Sequence, residues 1–361
     1  MDCFELNTTA SSWEDRFEGK NVFKLKVKAD YTGEAIIVPK EWTVDGVGTY
    51  PVVQIDLYQD GQDYCQTVKR MYFEANNEIL ALGAILDCAP KAALCANFEY
   101  IDMHALPALQ VVAGQAFYQG QKVHIEYIPD TVEYIGNNAF GYVPNCTISE
   151  LPSKLRYLGE EAFSNCEGIT MLNIDKATQL NAIGAGAFNT CRNLTIVGET
   201  ITYPATIGDH AFSNCAKMVL NFATADQSQI TNIGRYAFYN SANGLINLPP
   251  LVKTLGSSCF ATDDINNNFS AGFSSLPPTI TNIGTGVFQN REAANNTWYL
   301  QTADPATITI SEFSFEGITN LENIQVNWDL EEALEIHPAM AKGWTIKGTI
   351  TVIDKDGNSL N

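Results

Sequence analysis

The chain has 361 residues, of which 45% are hydrophobic and 11% aromatic, so it has ample apolar side chains for a packed core and is not a disordered polymer. Lysine and arginine number 21 against 41 aspartates and glutamates, and the net charge of −20 would repel phosphate backbones and anionic lipid surfaces. We therefore expect no nucleic-acid partner, and no apolar stretch is long enough for membrane insertion.

The N-terminal segment "MDCFELNTTASSWEDRFEGKN" has neither the basic start nor the apolar centre of a secretory signal. We expect either an intracellular protein or a chain without its export segment. Further on, "VFKLKVK" at 22–28 alternates apolar side chains with lysines, and the apolar "AIIVP" follows after a "TGE" turn. These two stretches predict a β-hairpin, with lysines protecting its edge, within an N-terminal β cap of residues 1–65.

Residues 66–105 are predicted to form irregular first coils, and beyond them one frame recurs along the chain. It reads apolar, Gly, two variable residues, Ala, Phe, two variable residues and a small residue that is often Cys, as in "LNAIGAGAFNTC" and "LRYLGEEAFSNC". Its phenylalanines, spaced 22 to 28 residues apart, are Phe117, Phe140, Phe163, Phe188, Phe212, Phe238, Phe260, Phe288 and Phe315. A period of this length is typical of solenoids.

Each part of the frame predicts a part of one coil. The glycine indicates a corner that needs either a positive φ or a close approach of neighbouring backbones. The Ala-Phe pair predicts a buried column of stacked rings. The segment around the phenylalanine is short enough for only one or two helical turns, and the apolar alternation after the small slot, often ending in Ile-Pro or Leu-Pro, predicts one parallel strand per coil. The predicted fold is therefore an α/β solenoid with parallel strands on one face and short helical turns on the other.

At the C-terminal end, "GWTIKGTITVIDKDGNSLN" at 343–361 alternates again around a glycine-containing turn and predicts a second β-hairpin cap. The domain organisation predicted is an N-terminal cap at 1–65, a repeat array at 66–330 with clear copies from about 105, and a C-terminal cap at 331–361. Caps are expected because the ends of a repeat stack leave unpaired edges.

The frame "IGxxAFxxCxxL" with "LP" strand ends, best seen in "LGEEAFSNCEGITMLNI", resembles the BspA-like leucine-rich repeats over roughly residues 105–327. The resemblance implies a leucine-rich-repeat right-handed superhelix. It also implies a secreted or cell-surface bacterial protein that binds proteins or matrix. Insertions such as "TDDINNNFSAGFSS" depart from the frame around Phe260 and Phe288.

The residues that could carry chemistry form no recognisable site. Cys166, Cys191 and Cys215 occupy the small slot, which other coils fill with Gly120, Val143, Ser241 or Ile318, so we interpret these thiols as small buried hydrophobes. There is no CxxC pair, and His104, His124, His210 and His337 are never four residues apart, so no metal site is expected. "DKDGN" at 354–358 is better explained by a turn than by a calcium loop. We expect no cofactor.

The functional hypothesis is a non-catalytic binding or adhesion module, because outward strand residues vary from coil to coil while the core frame does not. The candidate residues that would contact a protein or glycan partner are His124, Glu126, Thr147, Ser149, Thr195 and Asn221. A carbohydrate-active enzyme and a structural spacer of a larger surface assembly are the alternatives, and no carboxylate pair is singled out by its spacing.

Overall fold

The computed structural model describes residues 3–7, 20–28, 30–56, 67–83, 97–196, 200–201, 204–219, 221–222, 228–241, 244–263, 271–273, 276–300, 308–311, 313–315, 317–327 and 351–358. Its contacts divide the chain into two compact units. Unit 1 comprises residues 1–170 and 176–180, and unit 2 comprises residues 171–175 and 181–361. The predicted boundaries of caps and array, at 65 and 330, stay a prediction.

Short β-strands are the main regular element of the described residues. In unit 1 they are β1 (Phe4–Leu6), β2 (Phe23–Val27), β3 (Ala35–Val38), β4 (Glu41–Val44), β5 (Gly48–Asp56), β6 (Arg70–Phe73), β7 (Ala81–Leu82), β8 (Tyr100–Ile101), β9 (Val111–Val112), β10 (Tyr134–Ile135) and β11 (Tyr157–Leu158). In unit 2 they are β12 (Met171–Leu172), β13 (Ala182–Ile183), β14 (Thr195–Ile196), β15 (Thr200–Ile201), β16 (Thr206–Ile207), β17 (Asn221–Phe222), β18 (Asn232–Ile233), β19 (Gly244–Ile246), β20 (Thr254–Leu255), β21 (Ala271–Phe273), β22 (Asn282–Ile283), β23 (Glu292–Ala293), β24 (Thr297–Leu300), β25 (Thr309–Ile310), β26 (Asn323–Val326) and β27 (Thr351–Ile353).

Two parallel ladders run through each unit. The first ladder is formed in most coils by the two residues before the glycine slot, in the order β5-β7-β9-β10-β11 in unit 1 and β13-β16-β18-β20-β22-β25 in unit 2. The second ladder follows the small slot and consists of shorter pieces: β3-β6-β8 in unit 1, and β12-β14, β15-β17, β19-β21-β23 and β24-β26-β27 in unit 2. The predicted solenoid of parallel strands is confirmed. One strand per coil is wrong, because a coil contributes to both ladders.

The N-terminal strands pair differently from the prediction. Strand β2 pairs antiparallel with β1 and parallel with β5, whereas β3 pairs parallel with β6. The hairpin predicted from 22–28 and "AIIVP" is therefore wrong, because each stretch joins a different ladder. A hairpin does form further along, where β4 pairs antiparallel with β5 around a turn at Gly46.

At the C-terminal end, β27 pairs parallel with β26. The "DKDGN" turn follows it, held by hydrogen bonds from the backbone N–H groups of Asp356 and Asn358 to Asp354 Oδ1, each 2.8 Å long. This confirms a turn at 354–358. The rest of the predicted C-terminal hairpin, at 343–350, lies outside the described residues.

In most coils the segment around the phenylalanine is a turn whose N–H groups donate to the next coil. In the coil of Phe212, the N–H groups of His210, Phe212 and Asn214 each donate to a carbonyl of the following coil at 2.8 Å. The residues two before and two after the phenylalanine have a positive φ in most coils, between 50° and 62° where they are not glycine.

The predicted short helical turns are wrong. Residues such as His210 (φ 56°) and Asn214 (φ 59°) are left-handed, and a left-handed L-residue ends a right-handed helix. The N–H groups that a helix would direct to its own chain are directed to the neighbouring coil instead. Among the described residues the one helical element is the 3-10 turn Met103–Ala105, and no helix there has the length and apolar character that crossing a membrane requires.

The glycine slot is explained by close backbone approach. A Cβ added to Gly208 would lie 2.7 Å from Ile183 O and 2.8 Å from Ala185 N, and one added to Gly136 would lie 2.3 Å from Gly114 N. Neither glycine has a positive φ. Neighbouring coils therefore touch at this slot through their backbones, with no room for a side chain.

The phenylalanine column is confirmed. Within unit 1, Phe140 stacks on Phe117 at 5.3 Å and on Phe163 at 5.0 Å between ring centroids. Within unit 2, five consecutive pairs from Phe188 to Phe315 stack at 5.3 to 6.2 Å, with ring planes within 17° of parallel. None of these rings is more than 1% exposed. The column forms a continuous apolar core in each unit.

We predict that Phe212→Ala lowers the free energy of unfolding by about 3 to 5 kcal/mol, because it opens a cavity between the rings of Phe188 and Phe238 that two fixed coils cannot close. Phe313→Ala is the matched control, since Phe313 is 39% exposed in the same unit. Urea denaturation measures both variants. Equal stability of the two variants would contradict a buried column.

We also predict that Gly208→Ala destabilises the fold by roughly 1 to 3 kcal/mol, because its methyl group would force two backbones apart. Gly114→Ala is the control, since a Cβ there would meet Asn137 O at 3.3 Å and nothing nearer. Thermal melts of the two variants should differ by several degrees. A Gly208→Ala melt that matches the parent would disprove backbone contact at this slot.

Candidate functional site

The second ladder of unit 1 presents an alternating surface. Tyr100 in β8 forms an isolated parallel bridge with His124, whose N–H donates to Glu99 O at 3.2 Å. Because side chains alternate along a strand, Ile101 and Ile125 point into the core and are buried, while Tyr100 and His124 are exposed. The repeat thus places polar and aromatic side chains of successive coils side by side.

A groove of about 230 Å³ lies on this surface. One wall is a stack of the His104 and Tyr127 rings, whose centroids are 4.4 Å apart with planes 12° from parallel. His104 is placed there by the 3-10 turn that follows β8. The groove is lined by Tyr100, Ile101, Met103, His104, His124, Ile125, Glu126 and Tyr127.

The groove carries negative charge beside aromatic rings. Burial, and then the negative charge of Asp102 with the nearby Tyr72 and Glu126, raises the pKa of Tyr100. The Tyr100 hydroxyl therefore stays protonated at neutral pH and is a hydrogen-bond donor. Tyr72 lies next to Tyr100, with ring centroids 5.7 Å apart and planes at 45°.

The structure brings two of the six predicted binding residues together. His124 and Glu126 are both exposed and both line the groove. Thr147 and Ser149 are exposed on the following coil, outside the groove lining. In unit 2, Thr195 is half-buried in β14, and the backbone of Asn221 lies in β17.

Tyr100, His104 and Tyr127 were missed by sequence reasoning, although the repeat period contains a signal for them. His104 and Tyr127 are 23 residues apart, which is also the distance from Phe117 to Phe140. Extending the period back by one coil would have paired the two rings. The irregular sequence before residue 105 obscured that coil.

Comparison with known proteins identifies the repeat. A family model described as the BspA type leucine rich repeat region matches residues 110–219 and 199–297, with six copies. These residues make up more than half of the chain. The chain belongs to the BspA-type leucine-rich repeat family. No curated protein sequence gives a significant match.

One of three similar solved structures supports the same fold. A leucine-rich repeat protein from Bacteroides ovatus is 14% identical, with 98% of each chain covered and a TM-score of 0.52. A leucine rich cell surface protein from Faecalibacterium prausnitzii is 18% identical over 91% of this chain and 94% of its own, with a TM-score of 0.34. The pneumococcal vaccine antigen PcpA is 12% identical over 97% and 96%, with a TM-score of 0.38. The first of these likenesses supports the fold alone.

The small slot of the BspA-type coils is a column of buried hydrogen-bond donors. In four coils a donor in this slot binds the carbonyl of a core phenylalanine in a preceding coil. The pairs are Cys166 Sγ to Phe140 O at 3.0 Å, Cys215 Sγ to Phe188 O at 3.2 Å, Ser241 Oγ to Phe212 O at 2.6 Å and Arg291 Nε to Phe260 O at 2.5 Å. The predicted burial of the thiols is confirmed, and their role includes this hydrogen bond as well as filling space.

Arg291 is the unusual occupant of that slot. Its side chain is among the largest of those that are fully buried, and its second guanidinium contact, Nη2 to Ser241 O, is 2.5 Å long. Burial lowers the pKa of Arg291 to about 10, so the group is still a cation at neutral pH. One side chain thereby binds carbonyls of two different coils.

Titratable groups elsewhere in the described parts of the BspA-type array assemble no metal centre. No group of three or more histidine, cysteine or carboxylate side chains is placed to hold a metal ion among the described residues. Tyr239 donates to the carboxylate of Asp263, and burial together with that hydrogen bond raises the pKa of Tyr239 to about 12. His337 and the insertion at 264–268 lie outside the described residues.

We predict that Cys166, Cys191 and Cys215 react slowly with an alkylating reagent in the native protein. All three are 0% exposed, and burial raises the pKa of the Cys215 thiol well above its ordinary value, so the reactive thiolate is scarce at pH 8. Cys3, which is half-buried, should react first among the six cysteines that the structure describes. Peptide-resolved mass spectrometry measures the order, and rapid labelling of Cys215 would contradict it.

Proposed function

We propose that this chain is a non-catalytic binding module that holds a protein partner at the cell surface through the second ladder of unit 1. The groove around Tyr100 and Glu126 carries the proposal, because it joins exposed aromatic rings with polar groups beside an exposed strand surface. Aromatic anchors in a recess, surrounded by polar side chains, are typical of protein interfaces.

The size of the groove favours a macromolecular partner over a small substrate. Its volume of about 230 Å³ is below the range of roughly 300 to 1,000 Å³ typical of small-molecule sites. A recess of that size accepts one side chain of a larger ligand. The surface location of the protein and its right-handed superhelical winding belong to this proposal and are supported by membership of the family.

We expect the immobilised protein to retain partners from a panel of purified extracellular matrix proteins, and the double substitution His104→Ala with Tyr127→Ala to weaken retention about tenfold or more. The double substitution Tyr134→Ala with Tyr157→Ala is the matched control. It removes another stacked pair, with centroids 4.6 Å apart, from the first ladder of the same unit. Thermal melts check that both variants fold.

Four other outcomes would change the proposal in distinct ways. If both double variants lose partner retention equally, the groove is not the binding site. Retention of glycans from an array, with no protein retained, would change the partner class. Turnover of an arrayed glycan would favour the carbohydrate-active enzyme, and self-association without any ligand would favour a structural spacer.

A further inference from the structure

The groove lies beside two carboxylates. Asp102 and Glu126 both act on the Tyr100 hydroxyl as negative charges. Two cationic side chains are held by neighbours outside the groove lining: Arg70 is 3.8 Å from Glu99, and Lys122 donates to Asn97 at 3.3 Å. The carboxylate of Glu126 lines the groove and that of Asp102 lies beside it, so the local potential is negative, in a chain whose net charge is −20.

The remaining lining suits a long cationic side chain. Ile101, Met103 and Ile125 are buried residues that line the groove, and they offer apolar contact to an alkyl stem. The Tyr100 ring is 39% exposed, and an aromatic face attracts a cation electrostatically. The carboxylate of Glu126 lines the same recess and is exposed.

We infer that the groove binds a lysine or arginine side chain from a basic segment of the protein partner. The alkyl stem lies on Ile101, Met103 and Ile125, and the cationic head lies between the Tyr100 ring and the Glu126 carboxylate. A cation is favoured over an uncharged sugar, because both can form hydrogen bonds with the Glu126 carboxylate but only a cation also gains ion-pair attraction. This inference rests on the proposed function and specifies the chemistry of its partner.

The test uses a fluorescent nine-residue glycine-serine peptide that carries three arginines, and the same peptide with citrulline, which has the same shape but no charge. Fluorescence anisotropy at low salt measures binding to the full chain. We expect the citrulline peptide to bind about tenfold more weakly or worse, since the cation contributes both cation–π attraction and ion pairing. Glu126→Gln should weaken arginine-peptide binding about threefold to tenfold.

Glu160→Gln is the control variant, because Glu160 is an exposed carboxylate on a turn of the same unit, away from the groove lining. If Glu126→Gln and Glu160→Gln weaken binding equally, the peptide is attracted only by the overall negative charge of the surface, and the inference is overturned. Equal binding of the arginine and citrulline peptides also overturns it.

The two proposals can fail separately. Suppose that the His104→Ala, Tyr127→Ala variant loses a matrix protein that Glu126→Gln retains fully. The proposed binding module would then stand, and the inference that the groove binds a cationic side chain would fail. Loss of the same protein from both variants, together with the charge-dependent peptide affinity, supports both.

Discussion

The fold depends on backbone contact between neighbouring coils. At the glycine slot the backbones touch, so a Cβ on Gly208 would lie within 2.7 Å of the preceding coil. This approach brings each turn close enough for three N–H groups, those of His210, Phe212 and Asn214 in one coil, to donate to the next. Buried N–H groups require hydrogen-bond acceptors. In this stack the neighbouring coil supplies the acceptors that a helix would supply from its own backbone.

The side-chain layers follow from that spacing. Once the coils are fixed by their backbones, consecutive core phenylalanines within each unit meet at 5.0 to 6.2 Å, a distance at which stacked rings attract. The phenylalanine carbonyl of one coil is also within reach of the small slot of a later coil, which accounts for thiol and hydroxyl donors there. Outside these layers, exposed positions such as Tyr100 and Glu126 are free to vary without disturbing the stack.

The phenylalanine column and the parallel strands could be predicted from the sequence, because side chains of fixed type recur at a fixed period. The turns were harder to predict, because the positive φ two residues before the phenylalanine falls on residues as different as Glu161, His210 and Tyr236. The slot two residues after it carries a signal that was missed, since it is asparagine in four coils: Asn165, Asn214, Asn240 and Asn290. The first ladder was missed for a related reason. Its residues precede the glycine, and the glycine was read only as a corner. In the groove, the exposure of His124 and Glu126 could be predicted from strand alternation. The stacking of His104 on Tyr127 could not, because His104 lies in a coil that lacks the repeat frame, and its register could not be assigned from the sequence.

Arg291 has a consequence for how such an array can change over evolutionary time. Coils with cysteine or serine in the small slot make the same contact with whatever coil precedes them, so duplication or recombination could exchange them with little loss. The coil of Arg291 reaches two preceding coils, at Phe260 O and Ser241 O. Copied to another place in the array, it would still meet a phenylalanine carbonyl, as the other small-slot donors do, but its long side chain would also need space to reach a second carbonyl two coils back. That coil therefore depends on two preceding coils, and moving it would disturb the array more than moving a coil with cysteine or serine.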